Sequence, residues 1–356
     1  MTAQYSGVTG TIYDAYFQYG TSRGNLDQTA YLSSNMPTGA SGSFSCTAYS
    51  LQPNTTYYYR AVMQVDDEDI MGEIRSFTTG STTPTPGSGP RYLEMPLPVS
   101  GSDYFSETLK ISGERNYSYL YDLTKYAALW VAYPLTATHI SGSASSSWSF
   151  NPNISQQYQV HITGSSYPSN YNNATKYARG HQIPNADRKC SSEMNRQTYY
   201  ATNQTPQLQD KFNGSIWENL ESAVRGLTSS TDTVYVVTGA CFQTVGGSET
   251  IHYLSSKGSA TPQQVPIPNY YWKVLLKVRR SGSTITAAST VGIWMEHKEY
   301  DNQDWSGCVV SVDEIETLTG FDFFHNLPSS IGASAETNSS WNTFRNVGRT
   351  FPSSPA

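Results

Sequence analysis

Residues 81–90, Ser81-Thr82-Thr83-Pro84-Thr85-Pro86-Gly87-Ser88-Gly89-Pro90, offer no apolar side chain that a core could bury. Prolines and small polar residues favour extended, solvated chain, so this run reads as a linker. It divides the 356 residues into a small first unit, 1–80, and a second unit, 91–356, of about 266 residues. Two separate cores are therefore expected, the second one large.

The first unit alternates in strand fashion at Ala15-Tyr16-Phe17-Gln18-Tyr19-Gly20 and again from Thr55 to Val62, and it closes with Gly72-Glu73-Ile74-Arg75-Ser76-Phe77-Thr78-Thr79. The run Leu51 to Tyr59 followed by a closing strand resembles the later strands of a fibronectin type III-like β-sandwich, with an abbreviated start. In the second unit, Ala128 to Tyr133, Thr233 to Thr238 and Trp272 to Val278 read as central strands. A helix is predicted from Gly214 to Leu227, with Ile216, Trp217, Leu220, Val224 and Leu227 on one stripe and Asn213 capping it. A second helix is predicted to start at Ser311, where Glu314 completes a capping-box spacing. Strands with a few helices packed on them imply an α+β second unit.

Composition narrows the setting. Charged residues make up 14% of the chain while Tyr reaches 27 residues, a balance typical of exported β-rich proteins. A net charge of -6 argues against broad coating of nucleic acid, which needs clustered Lys and Arg, but allows a locally basic cleft. No stretch approaches the roughly 18 to 20 apolar residues of a membrane span. Met1-Thr2-Ala3-Gln4 has no signal-segment character, so either the chain is cytosolic or a signal segment has been removed. Cys46, Cys190, Cys241 and Cys308 form no CxxC pair, which disfavours zinc. Disulfides, in any of three pairings, and four free thiols both stay open.

The densest polar constellation surrounds His181. In an extended segment Arg179 and His181 leave the same face, and Gly180 lets another group approach closely. Thr202 to Gln207 follow, then Asn213, Glu221 and Arg225. A neutral imidazole beside Mg²⁺ held on oxygen ligands is what phosphodiester hydrolysis needs, because water must lose a proton and the leaving oxygen must be neutralised. On a continuous helix Asn213 and Glu221 would lie about 12 Å apart along the axis, so both cannot easily bind one ion directly. Mg²⁺ keeps several waters, so Asn213 as direct ligand and Glu221 through water is workable. Each residue has a plainer role. Asn213 would serve as a helix cap, Glu221 and Arg225 as an exposed i,i+4 pair, His181 as a structural histidine, and Arg188 and Lys189 as surface charge.

Taken together, Arg179-Gly180-His181-Gln182-Ile183-Pro184, Thr202-Asn203-Gln204-Thr205-Pro206-Gln207, Asn213 to Glu221 and Asp322 to Pro328 occur in the order of the DNA/RNA non-specific endonucleases of ββα-metal type, which carry an Asp-Arg-Gly-His motif. The resemblance covers roughly residues 92–330. It implies a central antiparallel sheet, His181 as general base, Asn213 as the direct Mg²⁺ ligand (Mn²⁺ or another divalent cation also serving), Glu221 acting through water, Arg225 at the phosphate and Asn203 orienting the site. DNA and RNA would be the substrates, and the setting secreted, periplasmic or cell-surface.

Two departures stand out. Ala178 replaces the Asp that would support the histidine and the water network, and Ser146 stands two residues before Trp148, where some relatives place a phosphate-clamping arginine. These point to attenuated turnover. Ala178 also keeps open an inactive nuclease-fold protein that binds nucleic acid or a surface partner. A further reading gives the function to the first unit as an adhesion or carbohydrate-binding module, although a sandwich by itself identifies no ligand.

Overall fold

A computed structural model of the chain describes residues 1–32, 36–46, 48, 55–66, 68–79, 92–99, 101–160, 177–228, 233–255 and 264–346. The linker and the Leu51 to Asn54 part of the sandwich motif lie outside the described residues. The chain forms two compact units, one built mainly from Met1–Pro90 and one mainly from residues beyond it.

The first unit is all-β. Strands β1 (Thr2–Ser6) and β4 (Ser41–Ser45) make one sheet, while β3 (Gln28–Tyr31), β2 (Ile12–Gly20), β5 (Thr56–Val65) and β6 (Glu68–Met71) pair in that order in the other, with β7 (Arg75–Thr78) also on β5. Alternation in β2 sends Ala15, Phe17 and Tyr19 inward. Phe17 meets Phe44 of β4 with ring centroids 5.4 Å apart, so the core joins the two sheets as a small sandwich.

The second unit is α+β, centred on a seven-stranded antiparallel sheet. It contains β8 (Tyr104–Ile111), β9 (Glu114–Asp122), β10 (Ala127–Leu135), β13 (Val234–Cys241), β16 (Tyr270–Ser281), β17 (Thr284–Glu296) and the short β18 (Val309–Val310), in sequence across the sheet. Two hairpins lie outside it: β11 (Tyr177–His181) with β12 (Gln204–Leu208), and β14 (His252–Ser255) with β15 (Gln264–Ile267). The central strands read as nearly continuous apolar runs because both faces of the sheet are covered. On one face Trp130, Val237, Trp272, Val274 and Leu276 pack against Val312 and Ile315 and against Phe323, Phe324 and Leu327. Gly239 is in register with Trp272, and a side chain at 239 would overlap the indole. Alternation turns Tyr133, Thr238, Tyr271 and Lys273 to the other face, where the candidate site is built.

The helices are short: α1 (Ala137–Ile140), α2 (Ser192–Thr198), α3 (Glu218–Arg225), α4 (Val312–Thr319), α5 (Ser329–Glu336) and α6 (Trp341–Asn346). Ser311 Oγ accepts the Glu314 amide at 3.1 Å, the cap expected for α4. None of the helices among the described residues is long and apolar enough to cross a membrane.

Two expectations need correction, and the open state of the cysteines is resolved. The predicted helix from Gly214 to Leu227 is α3 alone, preceded by a wide-turn segment, Gln209–Trp217, that breaks at Gly214 (φ -89°, ψ 23°) and Ser215 (φ -141°, ψ -106°). A Gly-Ser pair holds helical geometry poorly, so the chain bends there, and Asn213 lies before the bend without capping α3. Arg188 is no surface charge: it is fully buried, with Nε donating to Asn116 Oδ1 at 2.6 Å and Nη2 to the carbonyls of Asn116 and Pro134. The four cysteines are free thiols, Cys46 and Cys241 buried, Cys308 half-buried and Cys190 exposed.

Candidate active site

β11 places Arg179 and His181 on one face, across from Pro206 and Gln204 of β12, while Ala178 and Gly180 share the other face with Gln207 and Thr205. The imidazole is enclosed by aromatic rings. Trp148 lies over it at 4.6 Å between centroids, tilted by 37°, and Tyr199 meets it edge-on at 4.9 Å. The Arg179 guanidinium sits 5.4 Å from the Trp148 ring centre. Burial first, and then the positive charges of Arg179 and Lys189, push the imidazole pKa down to about 3. His181 is therefore neutral at neutral pH, and its Nε2 is buried with no hydrogen-bond partner among the described residues. An unprotonated ring nitrogen can accept a proton, and the lowered pKa makes it a weaker base than a free imidazole.

Asn203 is committed to holding the backbone beside this histidine. Its Oδ1 accepts the Ile183 amide at 3.0 Å, and its Nδ2 donates to the carbonyls of Ile183 at 3.0 Å and Thr198 at 2.7 Å. The side chain is buried, so its part is to position the exit from β11.

A second group of side chains joins three elements. Asp187 lies in the turn Asn185–Arg188, six residues after His181, and is 2% exposed. Its Oδ2 accepts Tyr133 Oη at 2.8 Å and its Oδ1 accepts Arg225 Nη1 at 3.0 Å. Arg225 Nη1 is 3.9 Å from Glu221 Oε2, and both of these side chains are largely enclosed, which replaces the exposed i,i+4 pair by a shielded cluster. Behind it lies Lys273, 1% exposed, with Nζ donating to Thr238 Oγ1 at 3.0 Å and standing 4.5 Å from the centre of the Trp217 ring. Burial raises the Glu221 pKa, and Asp187 adds to the rise while Lys273 and Arg225 oppose it. Burial likewise lowers the Lys273 pKa.

Asn213 is half-buried on the Gln209–Trp217 segment, which packs against β11 and β12. Its Nδ2 reaches Gln209 Oε1 at 3.4 Å, and among the described residues it makes no hydrogen bond to His181 or Glu221. The amide oxygen is thus left for another ligand. Among the described residues no cluster of three or more His, Cys, Asp or Glu is arranged to hold a metal. One amide and one enclosed carboxylate fit a hydrated, oxygen-seeking cation such as Mg²⁺ far better than zinc.

The structure therefore brings Arg179 with His181, and Glu221 with Arg225, and uses Asn203 as a brace. Asp187, Lys273, Tyr133, Trp148 and Tyr199 were not singled out as site residues from sequence. Lys273 carried a usable signal, being with Lys277 one of two charges inside the apolar run Trp272 to Val278.

A profile of the family described as DNA/RNA non-specific endonuclease matches residues 100–330. A nuclease of Nostoc sp. is 32% identical over 228 residues, covering 63% of this chain and 76% of that protein. A nuclease of Serratia marcescens is 30% identical over 216 residues, 59% and 73% respectively. Mitochondrial nuclease 1 of Schizosaccharomyces pombe is 29% identical over 153 residues, and the chain spans only 47% of its length. A chain in the crystal structure of the EndoG/EndoGI complex superposes with a TM-score of 0.51 at 21% identity, covering 64% of this chain and 89% of that one. This last likeness concerns fold alone, the ββα arrangement of the β11–β12 hairpin followed by α3.

Proposed function

The chain belongs to the DNA/RNA non-specific endonuclease family, and we propose that its second unit, residues 91–356, hydrolyses phosphodiester bonds in DNA and RNA with His181 as general base. The observation that carries this reading is the enclosed, neutral imidazole with an uncommitted Nε2. His181 Nε2 takes the proton from a water, whose oxygen attacks phosphorus in line as the bond to the leaving oxygen breaks. Arg179 and Arg225 hold the phosphate, and Asn203 keeps the histidine strand in register. Asn213 would hold Mg²⁺ directly and Glu221 through water, and when bound the cation supplies charge neutralisation at the phosphoryl and leaving oxygens. Contacts made chiefly to phosphate give little sequence preference.

The first unit, 1–80, then serves as a fibronectin type III-like spacer joined through 81–90, and the protein acts outside the cytoplasm, in keeping with its sparse charge and abundant Tyr. A second reading, a nuclease-fold protein without turnover, draws on Ala178 alone. Plasmid and RNA degradation in Mg²⁺ by the native chain and by His181→Ala decides between them. Loss in the variant with its fold intact supports the proposal, and equal activity in the two proteins refutes it.

A further inference from the structure

Arg225 stands between two carboxylates and is shared unequally. Nη1 is 3.0 Å from Asp187 Oδ1 but 3.9 Å from Glu221 Oε2, although Glu221 is its i,i+4 neighbour on the same helix, the partner a helical arginine ordinarily closes upon. Asp187 wins because it is fixed. Tyr133 Oη, anchored in β10, holds its other oxygen at 2.8 Å, and Asp187 itself is buried with its neighbour Arg188. Arg225 Nη2 donates to Ser222 Oγ at 2.9 Å, which sets the plane of the guanidinium. Glu221 makes no hydrogen bond among the described residues, and Lys273 behind it gives one of its three N–H donors to Thr238 while its charge acts on Glu221 without a hydrogen bond between them.

We propose that Asp187 is a positioning residue that draws Arg225 off Glu221 and so leaves the Glu221 carboxylate free to engage the hydration shell of the divalent cation. The proposal rests on the reading of Glu221 as the outer carboxylate of that cation's site. Without the Asp187 charge, Arg225 has one anionic neighbour left within reach, less than 1 Å further off than its present partner. A direct Arg225–Glu221 pair would occupy the carboxylate and cancel its charge, so cation affinity falls even though neither residue has been altered.

The test is calorimetric binding of Mn²⁺ and Mg²⁺ to the full chain, with thermal unfolding recorded for every variant. Asp187→Asn keeps an acceptor for Tyr133 and removes the charge. Its affinity should fall about tenfold, the scale seen when an outer partner of a metal ligand is lost. Asp187→Asn/Arg225→Gln should regain native affinity, because no guanidinium is left to close on Glu221, while turnover stays low. Arg225→Gln alone should bind the cation as the native chain does, which keeps the idea testable if Asp187→Asn fails to fold. A double variant as weak as Asp187→Asn, or an Arg225→Gln variant that binds poorly, overturns the inference. No cation binding by the native chain overturns both this inference and the function reading beneath it.

Discussion

Ala178 and Gln207 face each other across the β11–β12 ladder, on the side of the strand turned away from His181. A carboxylate at position 178 would therefore meet the Gln207 amide, which is buried with both polar atoms unpartnered, and would not touch the imidazole. Ala178→Asp should change the rate without moving the acid limb of the kcat/KM profile, because the His181 pKa is set by burial, Arg179 and Lys189. A shift of about one pH unit in that limb, equivalent to about 1.4 kcal/mol between protonation states, would mean the carboxylate does reach the histidine.

The same glutamine explains Gly180. A Cβ at Gly180 would overlap the Gln207 side chain at three of its atoms, and Gln207 is fully buried with nowhere to swing. Gly180→Ala should cost about 1–3 kcal/mol in urea unfolding, the usual penalty for overpacking. Gly180→Ala/Gln207→Ala should recover part of that loss relative to Gln207→Ala alone. A neutral Gly180→Ala would contradict the packing.

How much of this was legible in the sequence depends on how far away each residue's partners lie. The runs through Val234 to Thr238 and Trp272 to Val278 were readable as central strands because burial on both faces removes polar alternation. Arg179 and His181 were readable because their shared face follows from a two-residue spacing. The break at Gly214 and Ser215 was not, since Asn-Gly-Ser ahead of an apolar stripe is also how an ordinary helix begins. Asp187 and Arg188 were opaque for a different reason. Their partners, Tyr133 and Asn116, lie 54 and 72 residues away, and only the folded sheet brings them together.

Asn203 offers a test of positioning apart from chemistry. It satisfies one amide and two carbonyls of the backbone around His181, all buried. Asn203→Ala leaves those groups unpaired at about 1–3 kcal/mol each before relaxation, so a clear drop in unfolding midpoint is expected. Because His181, the proposed base, shifts while Arg225, the proposed phosphate contact on α3, stays, kcat should fall more than KM rises. A variant with normal stability and a raised KM alone would move Asn203 from brace to substrate contact.

His297 makes the protein's acid limit measurable. Its Nε2 accepts the Leu208 amide at 3.0 Å and its Nδ1 lies 2.8 Å from the Pro268 carbonyl, an arrangement that requires the neutral ring with its proton on Nδ1. Burial lowers its pKa to about 4, against 6.5 for the free side chain. Between those values the unfolded chain carries the proton and the folded chain does not, so stability increases with pH there and is lost as pH falls from 6.5 through about 4. One such histidine gives a slope of about 1.4 kcal/mol per pH unit. His139 and His181, both lowered to about 3 by burial, add to it. Urea unfolding of His297→Gln from pH 7 to pH 4.5 should show a curve flatter than the native one by about one proton's worth of slope. A native curve that is flat over this range would mean the ring is charged in the folded protein, and the bond from Leu208 would have to be lost.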